Sequence, residues 1–231
     1  MVAFSRALRT HLVTHTLPWR DDGQRVLMRN MYPIFMEKYG ALERAYLSDV
    51  RAFIDHRYPE AVAKASFRMG ELFEPADYPA ASELEHKFYV NLEIDGITEA
   101  NDFRVNIGTD ELAKVREQIE ATIQSRVTLA MKDVWLRLID VLQHYVSKME
   151  DKDAIFRDTT VTNLVDLVNI MPGLNIAGDP NLKSIRQRVM DTIYGYEPDD
   201  LRKNETVRAQ AALEAQEIID DMKGFMSAFG K

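Results

Sequence analysis

The sequence predicts a mainly α protein, an elongated helical bundle with one long central helix (about 109–151) and an inserted two-stranded β-hairpin (about 86–107). Two patterns carry this reading. From Thr109 or Asp110, either of which suits an N-cap, apolar residues fall at Leu112, Val115, Ile119, Ile123, Val127, Met131, Val134, Leu138, Val141, Tyr145 and Met149, with no Pro or Gly between them. Ahead of that helix the period drops to two. Phe88, Val90, Leu92 and Ile94 alternate with polar Lys87, Asn91 and Glu93, and Phe103, Val105 and Ile107 repeat the alternation after a loop from Asp95 to Asn101.

The elements follow in order. Phe4, Leu8 and Leu12, four apart, mark a short amphipathic helix. Leu17-Pro18-Trp19-Arg20-Asp21-Asp22-Gly23 reads as a turn, since Pro fixes one φ and Asp-Asp-Gly supplies side-chain acceptors and a permissive backbone. Pro33 suits the first turn of a helix carrying Ile34, Phe35, Tyr39, Leu42, Tyr46, Val50, Phe53 and Ile54. That helix is expected to end near Arg57, because Tyr58 precedes Pro59 and a residue before proline avoids the α region. A further helix carries Val62, Ala65 and Met69 to Leu72-Phe73, and Glu74 to Pro79 is a connection. A lone hairpin is marginal in water, so the one near 86–107 needs helices on its apolar face or another chain at its edge.

In the long helix, ten apolar intervals span 37 residues, a mean of 3.7. A coiled-coil seam repeats at about 3.5, so the spacing predicts a nearly straight helix, roughly 60 Å long, packed in a bundle. Such length suggests an elongated shape or an oligomer that covers the protruding end. The segment from Phe156 to Met171 carries Val161, Leu164, Val165, Leu167 and Val168 and is expected to stop at Pro172-Gly173. Asp179-Pro180 caps and opens the next helix, with Leu182, Ile185, Val189 and Ile193, which ends at Gly195. Pro198 begins a last helix, rich in charge and small residues, that reads as protruding or partner-binding. The whole chain, 1–231, reads as one elongated helical domain with sub-regions 1–73 (basic and helical), 74–151 (hairpin plus long helix) and 152–231 (C-terminal helices).

Composition narrows the chemistry. With 231 residues and 46% of them apolar, the chain can bury a core. The absence of cysteine removes disulfides, thiolate zinc sites, iron–sulfur ligation and cysteine nucleophiles, and it suits a reducing compartment. The net charge of −8 argues against a nucleic-acid binder that uses its whole surface. That charge is uneven, however: residues 1–70 carry +4 and residues 71–231 carry −12. No signal-peptide-like stretch and no run of about eighteen apolar residues is present, so no membrane association is expected.

Strong catalytic motifs are missing: there is no GxxxxGK[ST] loop, no GxGxxG after a strand, no GxSxG elbow and no kinase set. His11 and His15, four apart on a helix, could hold two positions of a metal, but no third ligand is identifiable; the alternative is a pair of surface histidines near a helix C-terminus. Asp21-Asp22, Asp199-Asp200 and Asp220-Asp221 suit capping and solvation better than acid–base or Mg²⁺ chemistry. The helices within 158–194 read as an ordinary helical hairpin rather than a helix-turn-helix presenting Lys183, Arg186 and Arg188. No cofactor, no metal and no catalytic residue is assigned.

Anion binding is the liveliest chemistry. Arginine outnumbers lysine eighteen to eleven, and arginine pairs bidentately with phosphate and stacks on bases. Trp19 with Arg20 and Arg25 forms one aromatic and basic cluster. Tyr89 and Arg104 form another, on the predicted hairpin face opposite the apolar one. Trp19, Arg25, Tyr89, Arg104 and Arg157 are therefore the candidate ligand-binding residues. Convergence of Trp19, Arg25, Arg104 and Arg157 on a pocket would favour a small anion, and an open groove would favour a strand.

The Leu17-Pro18-Trp19 segment with Asp22-Gly23 and Arg25, Leu72-Phe73 before Asp77-Tyr78-Pro79, Asp102-Phe103-Arg104-Val105, and Ile155-Phe156-Arg157-Asp158 with Asn163 and Leu174-Asn175 before Asp179-Pro180 together resemble an uncharacterised family of tailed-bacteriophage proteins. The similarity runs from about residue 10 to about residue 195, and family members often carry further sequence before the Leu-Pro-Trp segment. The resemblance implies a viral origin, expression in the host bacterial cytoplasm and a non-structural role; it supplies no activity and no catalytic residues. The expectation is a non-enzymatic, homo-oligomeric phage protein that binds a host, defence or phage protein. The alternatives are a protein that sequesters a nucleotide signal or single-stranded nucleic acid and, more weakly, a metal-dependent nuclease.

Overall fold

The computed structural model describes residues 2–97, 109–150, 158–196 and 198–227. They form a mainly α structure with one small antiparallel hairpin among the described residues. The chain divides into two compact units, Met1–Thr14 with Tyr32–Ile97, and His15–Met31 with Thr98–Lys231.

The first unit holds most of α1 (Val2–His15), then α2 (Tyr32–Ala52), α3 (Tyr58–Met69) and the short α4 (Ala81–Glu85). His11 is buried, donates from Nε2 to the Phe35 carbonyl at 2.9 Å, and stacks on the Phe35 ring at 4.8 Å. The surface position expected for it is thus replaced by a place between α1 and α2. The expected break at Tyr58-Pro59 is also replaced. Tyr58 stands in the right-handed α region at φ −69°, ψ −49°, and a π-helical turn, Phe53–Arg57, joins α2 to α3. The wider turn reconciles the proline with continuous helix, and Pro59 falls in the first turn of α3, where an N–H is not needed. Arg57 steadies the turn by donating to the Asp49 carbonyl (2.8 Å) and carboxylate (2.6 Å). Val50, Ile54 and Leu84 form this unit's small core, and Phe88 meets Phe53 edge-on at 6.0 Å.

The hairpin predicted near 86–107 is not formed where it can be seen. Lys87–Ile97 contains no strand, and its second half lies outside the described residues. The alternation holds from Phe88 to Glu93, where Phe88, Val90 and Leu92 are half-buried and Tyr89, Asn91 and Glu93 are exposed, and fails at Ile94, which is 59% exposed. One-sided burial of an extended segment produces the same period as a strand, without a pairing partner.

In the second unit, β1 (Leu17–Pro18) pairs antiparallel with β2 (Arg25–Val26), Leu17 opposite Val26 and Pro18 opposite Arg25. Then follow α5 (Thr109–Glu150), α6 (Asp158–Leu174), α7 (Pro180–Tyr194), α8 (Pro198–Lys203) and α9 (Glu205–Met226). The long helix stands where the periodicity placed it. Its second half forms the core with α6, α7 and α9: Met131, Val134, Trp135, Leu138, Leu142 and Tyr145 are buried, against Leu164, Val168, Ile185, Ala211, Ala215 and Ile219 among others. The final helix, expected to protrude, is instead a core helix. Asn204 caps it through Thr206 N–H (3.0 Å) and Val207 N–H (3.3 Å), and its small residues Ala211, Ala212 and Ala215 are buried. Arg186 donates to the Val168 carbonyl at 2.8 Å, joining α7 to α6 in the helical hairpin that was expected, and Arg188 pairs with Asp221 of the last helix. Asp179 caps α7 as the sequence indicated, accepting from Asn181 N–H at 2.8 Å.

Tyr145 buries a hydroxyl that has no hydrogen-bond partner among the described residues. Burial first, then the nearby Tyr196 and Glu214, push this phenol up to about 12, against about 10 in an unfolded chain. As pH climbs past about 10 the unfolded chain ionises first, so stability present below that value is lost towards 12. Tyr145→Phe removes the orphan hydroxyl, whose unmet hydration costs about 1–3 kcal/mol. The urea midpoint at pH 7 is expected to hold or rise, and its fall between pH 7 and pH 11 to shrink; a lower midpoint at pH 7 would show that the hydroxyl is satisfied.

Candidate functional site

The candidate site is an open cleft of about 660 Å³ between the β1–β2 loop and the first half of α5. Its loop wall is built locally. Trp19 and Arg20 N–H groups both donate to the Gln24 carbonyl, at 3.0 and 3.2 Å, and Gly23 N–H donates to the Arg20 carbonyl at 3.3 Å. Gly23 sits at φ +91°, which only glycine adopts without strain. Asp22 accepts from Gln24 N–H at 3.0 Å, the local acceptor role expected of an Asp in a turn. The helix wall is a row three and four apart on one face, Gln118, Ala121, Thr122, Ser125, Arg126 and Leu129.

Arg25 locks the hairpin onto α5. Its Nε donates to Thr16 Oγ1 at 2.7 Å and its Nη2 to the Thr16 carbonyl at 2.9 Å, an oxygen that also accepts from Arg137 at 3.0 Å. Arg137 in turn pairs with Asp133. Burial, and then the neighbouring Arg137, lower the Arg25 pKa, and Asp133 opposes the fall; a guanidinium stays charged regardless. Lysine has no planar fork to reach both Thr16 oxygens. Arg25→Lys is therefore expected to cost about 1–3 kcal/mol, read as a lower urea midpoint by tryptophan fluorescence.

Trp19 is 8% exposed, and the guanidinium of Arg126 lies over its ring, 5.9 Å from the centroid. Arg20 meets Asp22 at 3.6 Å on the outer rim, where Asp21 is exposed. Leu129, 44% exposed, and Ala121 are the apolar residues that α5 contributes to the cleft.

Of the five sequence candidates, Trp19 and Arg25 come together in the hairpin. Tyr89 belongs to the other unit and is exposed, and Arg104 and Arg157 lie outside the described residues. Arg126 was missed by sequence reasoning. Its only sequence signal is the uncharged polar row Gln118, Thr122 and Ser125 leading to it in an otherwise charged helix. Among the described residues no group of three or more His, Asp or Glu is placed to hold a metal, and no helix is long and apolar enough to cross a membrane.

These features define a helical protein with an open, mixed-charge cleft flanked by a tryptophan loop. Comparison with protein families, with curated proteins and with solved structures found no match.

Proposed function

We propose that the protein is a non-enzymatic binding protein that docks a partner polypeptide in the cleft between the Trp19 loop and α5. One observation carries this. All the buried α5 side chains among the described residues lie from Ala130 to Met149, and of the first half only Ile123 and Val127 among the described residues pack against that core, so most of the first half of this 42-residue helix is left for something other than the core. Its packing partner α9 has 22 residues, about 33 Å of helix against about 63 Å for α5. The cleft lies along that first half and offers apolar, hydroxyl, amide and both kinds of charged group, the mixture that suits a polypeptide surface. A partner in the bacterial cytoplasm, host or viral, is what the resemblance to tailed-phage proteins implies. A nucleotide or single-strand binder has less support, because Trp19 is buried and Arg25 is engaged with Thr16.

The cysteine-free chain permits one labelled position at a time. A photo-crosslinker carried by a single cysteine at Gln118 is expected to give a discrete polypeptide adduct in bacterial cytoplasm, one absent when it sits at Leu213, exposed on α9. Equal labelling at both positions, or Mg²⁺-dependent turnover of nucleic acid or nucleotide by the purified chain, would overturn the proposal.

A further inference from the structure

Resting on the reading of the cleft as a polypeptide-docking site, we infer that Arg126 is its recognition residue. The docked segment presents a carboxylate side chain to Arg126 and, a few residues away, a basic side chain to Asp21.

The geometry around Arg126 supports this in three ways. First, the guanidinium is half-buried on the Trp19 ring yet has no carboxylate partner among the described residues, unlike Arg137 on Asp133 or Arg188 on Asp221. A guanidinium held over an indole by a cation–π contact keeps its N–H donors for a carboxylate, whose two oxygens suit its fork. Second, Gln118 and Ser125 line the same cleft, and neither side chain has a hydrogen-bond partner among the described residues. They supply an amide and a hydroxyl along the same cleft.

Third, the charges on the cleft balance, Arg20 and Arg126 against Asp21 and Asp22. Asp22 is already met by Arg20 and by Gln24 N–H, whereas Asp21 is exposed and has no partner among the described residues. A polyanion following this cleft would run past two carboxylates on a chain of net charge −8. A segment carrying one acid and one base satisfies both ends, which favours a polypeptide over a nucleic acid.

The test uses the full chain, immobilised, and a displayed library of short random peptides as the probe. Selected peptides are expected to carry Asp or Glu with Lys or Arg a few positions away. Their affinity is expected to fall about tenfold with Arg126→Gln, as for loss of a charge-assisted pair, and to be unchanged with Arg116→Gln on the exposed side of the same helix. Exchanging the peptide's acid for its amide should cause the same loss, and no further loss in the Arg126→Gln protein. Should Arg126→Gln fail to fold, Arg126→Lys keeps the charge but not the fork, and a several-fold loss is expected there.

Peptides that ignore Arg126→Gln but are lost with Leu129→Glu would overturn this inference and leave the docking site standing. Peptides indifferent to both changes would overturn the docking site as well. Arg126-dependent binding of single-stranded oligothymidylate, with no selected peptide competing, would assign the cleft to nucleic acid instead.

Discussion

Replacing Trp135 with Ala is expected to lower the stability of the second unit by about 3–5 kcal/mol, as for other buried Trp truncations. Trp135 has no exposed surface and sits in the half of α5 that forms the core. Its ring lies 5.9 Å from that of Phe225, and its Nε1 donates to Asp179 Oδ2 at 3.3 Å. Asp179 uses its other oxygen on Asn181 N–H, and its backbone is held on both sides by the Asn175 amide, at 2.8 and 3.0 Å. Removing the indole therefore opens a cavity in α5 packing and unseats the residue that starts α7. Trp135→Phe keeps most of the apolar volume and loses the N–H bond, so it should cost about 1–2 kcal/mol beyond its smaller ring. Both tryptophans of the chain belong to this unit, so in either variant Trp19 remains as the only indole and reports the β1–β2 loop. Urea midpoints by Trp19 emission and by circular dichroism should fall together. A midpoint within error of the parent for Trp135→Ala would remove Trp135 from the core.

That residue shows how far sequence pattern reaches. The apolar repeat on α5 was legible because one face of the helix is apolar along its whole length. Its second half is buried more broadly, with Ala130, Trp135, Ile139, Leu142 and Val146 buried beside the repeat, because α6 and α9 both pack on it. A single stripe cannot show which half has two neighbours. The repeat continues through Leu112, Val115 and Ile119 with unchanged spacing, yet these are only half-buried and lie outside the core cluster. Helical periodicity records apolar residues on a face; tertiary contact decides what covers them.

The hairpin was misplaced for a related reason. Period-two alternation at Phe88–Glu93 outweighed the turn signal at Leu17–Gly23, yet strands form only where a partner chain segment lies in register. At Leu17 and Val26 the pairing spans two residues a side, too short to leave a periodic trace. The turn itself was legible, since Pro18, Asp22 and Gly23 each have a local backbone role. What the loop faces was not: Trp19 and Arg126 are 107 positions apart in sequence, and no local pattern joins them. The same holds for Arg25, whose place on Thr16 turns an anion-binding candidate into a structural clamp for the cleft.

Gly173 provides the second large effect, and its sign separates two roles that the sequence merges. Pro172-Gly173 was expected to stop the helix, yet α6 continues to Leu174 with Pro172 inside it. Gly173 does not have a positive φ, so its backbone conformation is open to alanine, and Gly→Ala at such a site usually gains about 0.4–1 kcal/mol. A Cβ there would nevertheless overlap Sδ and Cγ of Met31, which is 5% exposed and therefore has little room to move. Overpacking of this kind costs about 1–3 kcal/mol, so the steric effect exceeds the backbone gain and Gly173→Ala should destabilise. With Met31→Ala the obstacle is gone, and the same glycine change is expected to become neutral or stabilising, giving a coupling of about 1–3 kcal/mol across the pair. Urea unfolding of the parent, the two single variants and the double variant measures it. An equal cost of Gly173→Ala in both backgrounds would mean that the glycine serves the end of α6 and not the approach of Met31.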